Sequence, residues 1–155
     1  SMAALARELK LNRTTIYYHF KNREQLIAEV KRWASDQLSS GLDLNLSQQE
    51  RINYITRFVL ENPELIKLWI EDLLSGEDIR QSYPAWDKLI AGMRDKFNAQ
   101  GASVDVEVYC LNMLISAFIA PGIFRNCIAP GQDIDSIVAR FEAEHQRYLQ
   151  PQTDR

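Results

Sequence analysis

The sequence predicts an all-α fold. Apolar residues recur at helical spacing in segment after segment, strand-like alternation is nowhere sustained, and Gly and Pro fall between the periodic stretches. Ser1 stands where it can cap a first helix over residues 2–9, on which Leu5, Ala6 and Leu9 make an apolar edge. Lys10 and Leu11 form a tight turn, with Lys10 where a left-handed backbone is expected. A second helix over 13–19 repeats the apolar edge with Ile16, continued by Phe20. Asn22 and Gln25 read as a capping box for a helix over 23–39, whose Leu26, Ile27, Val30, Trp33 and Leu38 share one stripe. The loop over 39–43 is the natural junction between a domain of residues 1–40 and one of residues 41–155.

The second domain opens with another capping box, Ser47-Gln48-Gln49-Glu50, and a helix to about residue 61 with Ile52, Ile55, Phe58 and Val59 inside. Asn62 is placed to cap the next helix and Pro63 to start it, since Pro suits the first helical position. That helix ends before Gly76. Residues 82–99 follow, with Trp86, Leu89, Ile90, Met93 and Phe97 on one face. Residues 104–120 form a helix apolar on nearly every side, which Pro121-Gly122 should kink or break. Residues 133–149 are the last helix, with Ile134, Ile137, Val138, Phe141 and Tyr148 on a stripe, and the polar tail 150–155 should fray.

Composition fits a globular protein: 46% apolar and 25% charged residues in 155, enough for one or two small domains. The apolar runs are expected to be interrupted by charge or Pro before the roughly 20 residues a membrane helix needs. A charged segment follows the start, so no signal peptide is expected. Cys110 and Cys127, both in apolar surroundings, fit packing roles in a reducing cytoplasm. The net charge of -3 is unevenly spread. Residues 1–33 hold seven Lys/Arg against three Glu, and the remainder eleven Lys/Arg against eighteen Asp/Glu. A basic end on an acidic body confines attraction for phosphate to that end.

The basic end has the layout of a helix-turn-helix: one apolar side holds two short helices together, and the other offers donors and a cation to DNA. Arg13 can give two bonds to guanine, and Thr14 can touch a thymine methyl or a base edge. Thr15, Tyr17, Tyr18 and His19 are expected at phosphates, and Lys21 and Arg23 lie by a helix start that itself attracts phosphate.

Thr15-Ile16-Tyr17-Tyr18-His19-Phe20-Lys21-Asn22-Arg23-Glu24 resembles the recognition helix of the TetR (tetracycline repressor) family running into its next helix. Detailed resemblance covers about the first 38 residues. It implies DNA contacts at Thr15, Tyr17, His19 and Arg23, and a homodimer through the last two helices, here 104–124 and 133–149. An all-round apolar helix also asks for a second cover, which a partner subunit supplies. That family's DNA-binding domain has a helix before the helix-turn-helix, whereas this sequence starts after it. The edge of Leu5, Leu9, Ile16 and Phe20 is therefore expected to lose part of its cover.

In the body, Tyr54, Trp69, Met93, Tyr109 and Met113 are the candidate lining of a cavity for an apolar or aromatic ligand. Glu71 and Asp72 interrupt an apolar helix and are expected to face water, with a cationic ligand as the lesser alternative. No phosphate loop, metal spacing or nucleophile elbow is present in the sequence, so no enzyme, cofactor or metal is expected. The expected function is ligand-responsive regulation of transcription: a repressor released from a palindromic double-stranded operator by an unknown small effector, with no membrane partner. The alternative is a helical dimer that binds a small molecule or a protein without binding DNA.

Overall fold

A computed structural model describes residues 1–41 and 45–149, with side chains through His145. Part of the expected junction at 39–43, the tail at 150–155 and the Tyr148 side chain lie outside the described residues. Every element within them is helical: α1 (Met2–Glu8), α2 (Arg13–His19), α3 (Arg23–Gly41), α4 (Gln48–Glu61), α5 (Pro63–Leu74), α6 (Ile79–Ser82), α7 (Trp86–Ala99), α8 (Val106–Ile123) and α9 (Ile134–Leu149). A π-helical turn, Phe124–Ile128, follows α8.

The caps set most boundaries. Ser1 Oγ accepts from Ala4 N–H, and Asn12 Oδ1 from Thr14 N–H at 3.0 Å. Ser47 and Glu50 form a complete capping box on α4. At α3 the Asn22 side chain accepts from Gln25 N–H, while Gln25 reaches back to Lys21 N–H, one residue earlier than a standard box. Asn62 departs from expectation: its amide donates to Phe58 O instead of capping α5.

Three boundaries differ from the sequence reading: α3 runs on through Ser39 and Ser40 to Gly41, part of the segment expected to be a loop. Ser82 ends α6 and does not open the next helix. Asp78 caps α6, and the chain bends through Tyr83–Pro84–Ala85 before α7 begins at Trp86. Pro121 does not break α8. The helix carries it and continues to Ile123, and the π turn absorbs the irregularity three residues later. The helical run Val106–Ile128 is therefore 23 residues long, and by length and composition alone it could cross a bilayer. Composition does not separate such a helix from a core or interface helix, and Cys110, Leu114 and Phe118 put one face of this one in the protein core.

Helix α4 is the hub, packed against α3, α5, α8 and α9. The main core joins Ala34 and Leu38 of α3 to Phe58 and Val59 of α4, Trp69 of α5, Trp86 and Ile90 of α7, and the buried face of α8. Leu60, Ile137 and Val138 hold α9 to this body. Phe141, expected on the dimer seam, packs edge-on against Phe124 at 5.7 Å within the protomer. A separate small cluster of Met2, Ala6 and Ile16, flanked by Leu5, Phe20 and Leu26, holds the helix-turn-helix. Leu9 stays outside it, 55% exposed, and Leu11 is exposed as well.

Candidate nucleic-acid interface and ligand cavity

The turn between α1 and α2 is a Schellman motif. Leu11 N–H donates to Ala6 O and Lys10 N–H to Arg7 O, with Lys10 at φ 54°. This geometry sets α2 against α1 with Ile16 inward and the opposite face outward. Arg13, Thr14, Thr15, Tyr17, Tyr18 and His19 are all exposed, Tyr18 at 85%. The Arg13 guanidinium lies over the Tyr17 ring at 5.4 Å, and Tyr18 and His19 meet edge-on at 5.2 Å. Lys21 and Arg23 are exposed beside the start of α3, Arg23 as its first residue. The eight residues singled out in this segment thus lie on one continuous solvent-facing run around α2 and the α3 start.

Helix α3 connects this face to the body. Leu26 belongs to the small cluster and Ala34 and Leu38 to the main core. Lys31 forms an ion pair with Asp72 of α5, both largely buried. Asp72, expected to face water, keeps 21% of its side chain exposed while it tethers α3. Tyr54 OH donates to Gln37 Oε1 at 3.2 Å, adding a link from α4.

The body contains a cavity of about 450 Å³ between α4, α7, α8 and α9. Its volume lies in the range of small-molecule sites, roughly 300–1,000 Å³. Met93, Tyr109 and Met113 line it. Tyr54 lines a shallower groove on the other flank of α4, and Trp69 is in the core among Tyr83 and Phe118, its indole N–H without a partner among the described residues. Sequence reasoning missed Lys96, Asn112, Ser116 and His145, which also line the cavity. The signal available was Asn112 and Ser116, polar residues four apart on one side of an otherwise apolar helix. His145 Nδ1 is 2.9 Å from Phe141 O, and Glu142 accepts from Asn53 instead of facing His145. Burial pushes the Cys110 thiol up, away from thiolate chemistry, in keeping with a packing role, whereas Cys127 is exposed on the π turn and does not pack as expected. Among the described residues no three His, Cys, Asp or Glu side chains gather as metal ligands would.

A capped recognition helix with a bare polar and cationic face, on a body whose charge is opposite in sign, defines a helix-turn-helix DNA-binding protein. Residues 1–30 match the family model for bacterial regulatory proteins of the tetR family. The first 30 residues are thus similar to the DNA-binding segment of that family. No curated protein and no solved structure matches it.

Proposed function

We propose that the protein is a homodimeric, ligand-responsive repressor that works in the cytoplasm, with residues 1–40 reading DNA and residues 41–155 sensing the effector and dimerising. The observation that carries this reading is the exposed face of α2; in it Arg13 and Thr14 would read bases, and Thr15, Tyr17, Tyr18, His19, Lys21 and Arg23 would meet phosphates. It favours DNA binding over a helical dimer that has lost it, since Tyr18 is 85% exposed and lies outside the cluster that holds the helix-turn-helix.

Dimerisation is supported by the free face of α8. Val108, Leu111, Ile115 and Ile123 are all at least 40% exposed and recur at helical spacing. Beside them α9 presents the small residues Ser136, Ala139 and Ala143 to solvent, which lets a second helix approach closely. Covering this stripe with a second copy accounts for the length of apolar helix without a membrane.

The effector acts through α4. That helix forms one wall of the cavity and packs on α3, so a ligand that displaces α4 displaces the carrier of the recognition helix. Any such ligand must bind the DNA-competent and released states with different affinity. Selection from a pool of random duplexes tests the reading. Two inverted half-sites are expected, centred about one helical turn apart, roughly 34–36 Å, or a multiple of it. Recovery of unrelated sequences, or of a single unrepeated half-site, would refute it.

A further inference from the structure

We infer that the Lys31–Asp72 ion pair positions the recognition helix: it fixes the angle at which α3 leaves the body, and with it the place of α2 on an operator. The inference rests on the reading of α2 as the DNA reader of a dimer and names the residues that aim it.

Helix α3 is anchored at two places and loosely held between them. Leu26 packs in the small cluster with Ile16, and Ala34 and Leu38 are buried in the main core. Between these anchors Ala28, Val30, Arg32 and Trp33 are exposed, although the Trp33 ring meets Phe58 of α4 at 6.1 Å. Lys31 lies in the middle of this stretch and reaches across to Asp72 of α5. The neighbouring cation, Arg32, pairs with Glu29 and Asp36 of α3 itself, so it stiffens the helix without tying it to the body.

The far end of the tether is fixed. Ile66 and Trp69 bury α5 in the main core, and Asp72 stands about one turn beyond Trp69. Both charged ends are largely shielded from water, so their attraction is screened less than that of a surface pair. The lever beyond the tether is long. Arg23, the first residue of α3, lies about 12 Å from Lys31 at 1.5 Å per residue, so a tilt of about 5° at the tether moves it by about 1 Å. Helix α2 lies further out still. One recognition helix alone follows such a tilt by reseating on the duplex, but two helices joined through the body cannot both do so.

Two roles for Asp72 predict opposite signs. A carboxylate that only adds to the acidity of the body repels phosphate, so removing it would free a lysine and strengthen DNA binding. A carboxylate that positions α3 favours binding, so removing it weakens binding where two half-sites must be met at once.

The test compares the native full chain with Asp72→Asn and with the double variant Lys31→Met/Asp72→Asn. Each is titrated by fluorescence anisotropy at low salt onto the selected operator and onto a duplex holding one half-site. Asp72→Asn should weaken the operator about tenfold and change the half-site less than twofold. The double variant should lose about as much as the single one, because both changes remove the same bond. It leaves neither charge unpaired, so it carries the test even where Asp72→Asn fails to fold. Unchanged or tighter operator binding by either variant would overturn the inference and leave α2 standing as the DNA reader. Equal losses on both duplexes would also overturn it, because the pair would then maintain the helix-turn-helix itself and not its placement. A native chain that binds neither duplex, or binds both alike, would overturn the inference together with the reading it rests on.

Discussion

Lys10 carries a cost that its sequence neighbours make visible. Only a residue near φ 54° lets both Schellman bonds close behind α1, and a β-carbon in that region costs about 1–2 kcal/mol. Glycine removes that strain but adds about 0.5–1 kcal/mol of unfolded-chain entropy. Lys10→Gly should therefore stabilise the protein by about 0.5 kcal/mol, read from chemical denaturation followed by circular dichroism. A loss of stability would mean that the lysine side chain makes a favourable contribution of its own. At the DNA face, Arg13 and Arg23 should respond differently to replacement by Ala. Arg13 stands on the outward side of α2 over Tyr17, aimed where bases would lie, so its loss should cost roughly tenfold to a hundredfold in affinity and relax preference at one base pair per half-site. Arg23 opens α3 toward the backbone, so its loss should weaken all sequences alike and lower the salt slope by about one unit per half-site. Binding to the selected operator and its single-base variants across a salt series distinguishes the two, and exchanged roles would require a different seat for α2 in the groove.

At the scale of elements, α3 is the helix that contributes both to the helix-turn-helix cluster and to the main core. Its last residue, Gly41, is buried against α4, and a β-carbon there would come within 2.4 Å of the Tyr54 ring. That ring also holds Gln37, so it has little room to yield. Gly41→Ala should destabilise the protein by roughly 1–3 kcal/mol through this overpacking. Thermal unfolding measures it, and an unchanged midpoint would show that the α3–α4 contact is looser than its geometry implies. Elements of this kind were legible where short-range chemistry decides them. The α4 capping box, the α2 span and the left-handed Lys10 all follow from residues within five positions of one another. The α6 turn was not legible, because Asp78 caps only four helical residues before Pro84 intervenes, too short for an apolar period. Pro121 misled for a related reason: the sequence shows the missing donor but not the π turn that accommodates it. The candidate sites divide along the same line. The proposed DNA face is one contiguous segment, so its exposure follows from the local helical pattern. The cavity is assembled from four helices up to 97 positions apart, Gln48 to His145, so Met93, Tyr109 and Met113 were found by type while Lys96 and His145 were not.

The whole molecule combines a basic end, an acidic body and an exposed apolar stripe, and the stripe is where the proposed dimer would close. Helix α8 has three faces. Cys110, Leu114 and Phe118 enter the core, Tyr109, Met113 and Ser116 line the cavity, and Val108, Leu111 and Ile115 meet solvent in an isolated protomer. Water on such a stripe is unfavourable, and a second copy related by a two-fold axis would cover it with the same residues, as an isologous interface requires. Phe141 is a poor probe of this seam, because it packs on Phe124 inside the protomer and changing it would injure the fold. Ile115 is the better one. It is 42% exposed, so glutamate there disturbs the isolated chain little. In the dimer the carboxylate would be desolvated without a partner on each side of the axis, and an unpaired buried charge costs about 3–5 kcal/mol. Sedimentation at micromolar concentration should find the native protein as a dimer of 17.9 kDa chains and Ile115→Glu shifted to monomer, with helical circular dichroism retained. Operator binding should fall with it, since two recognition helices held at a fixed spacing bind far more tightly than either alone. A native protein that sediments as a monomer, or an Ile115→Glu variant that remains dimeric, would remove this face of α8 from the interface.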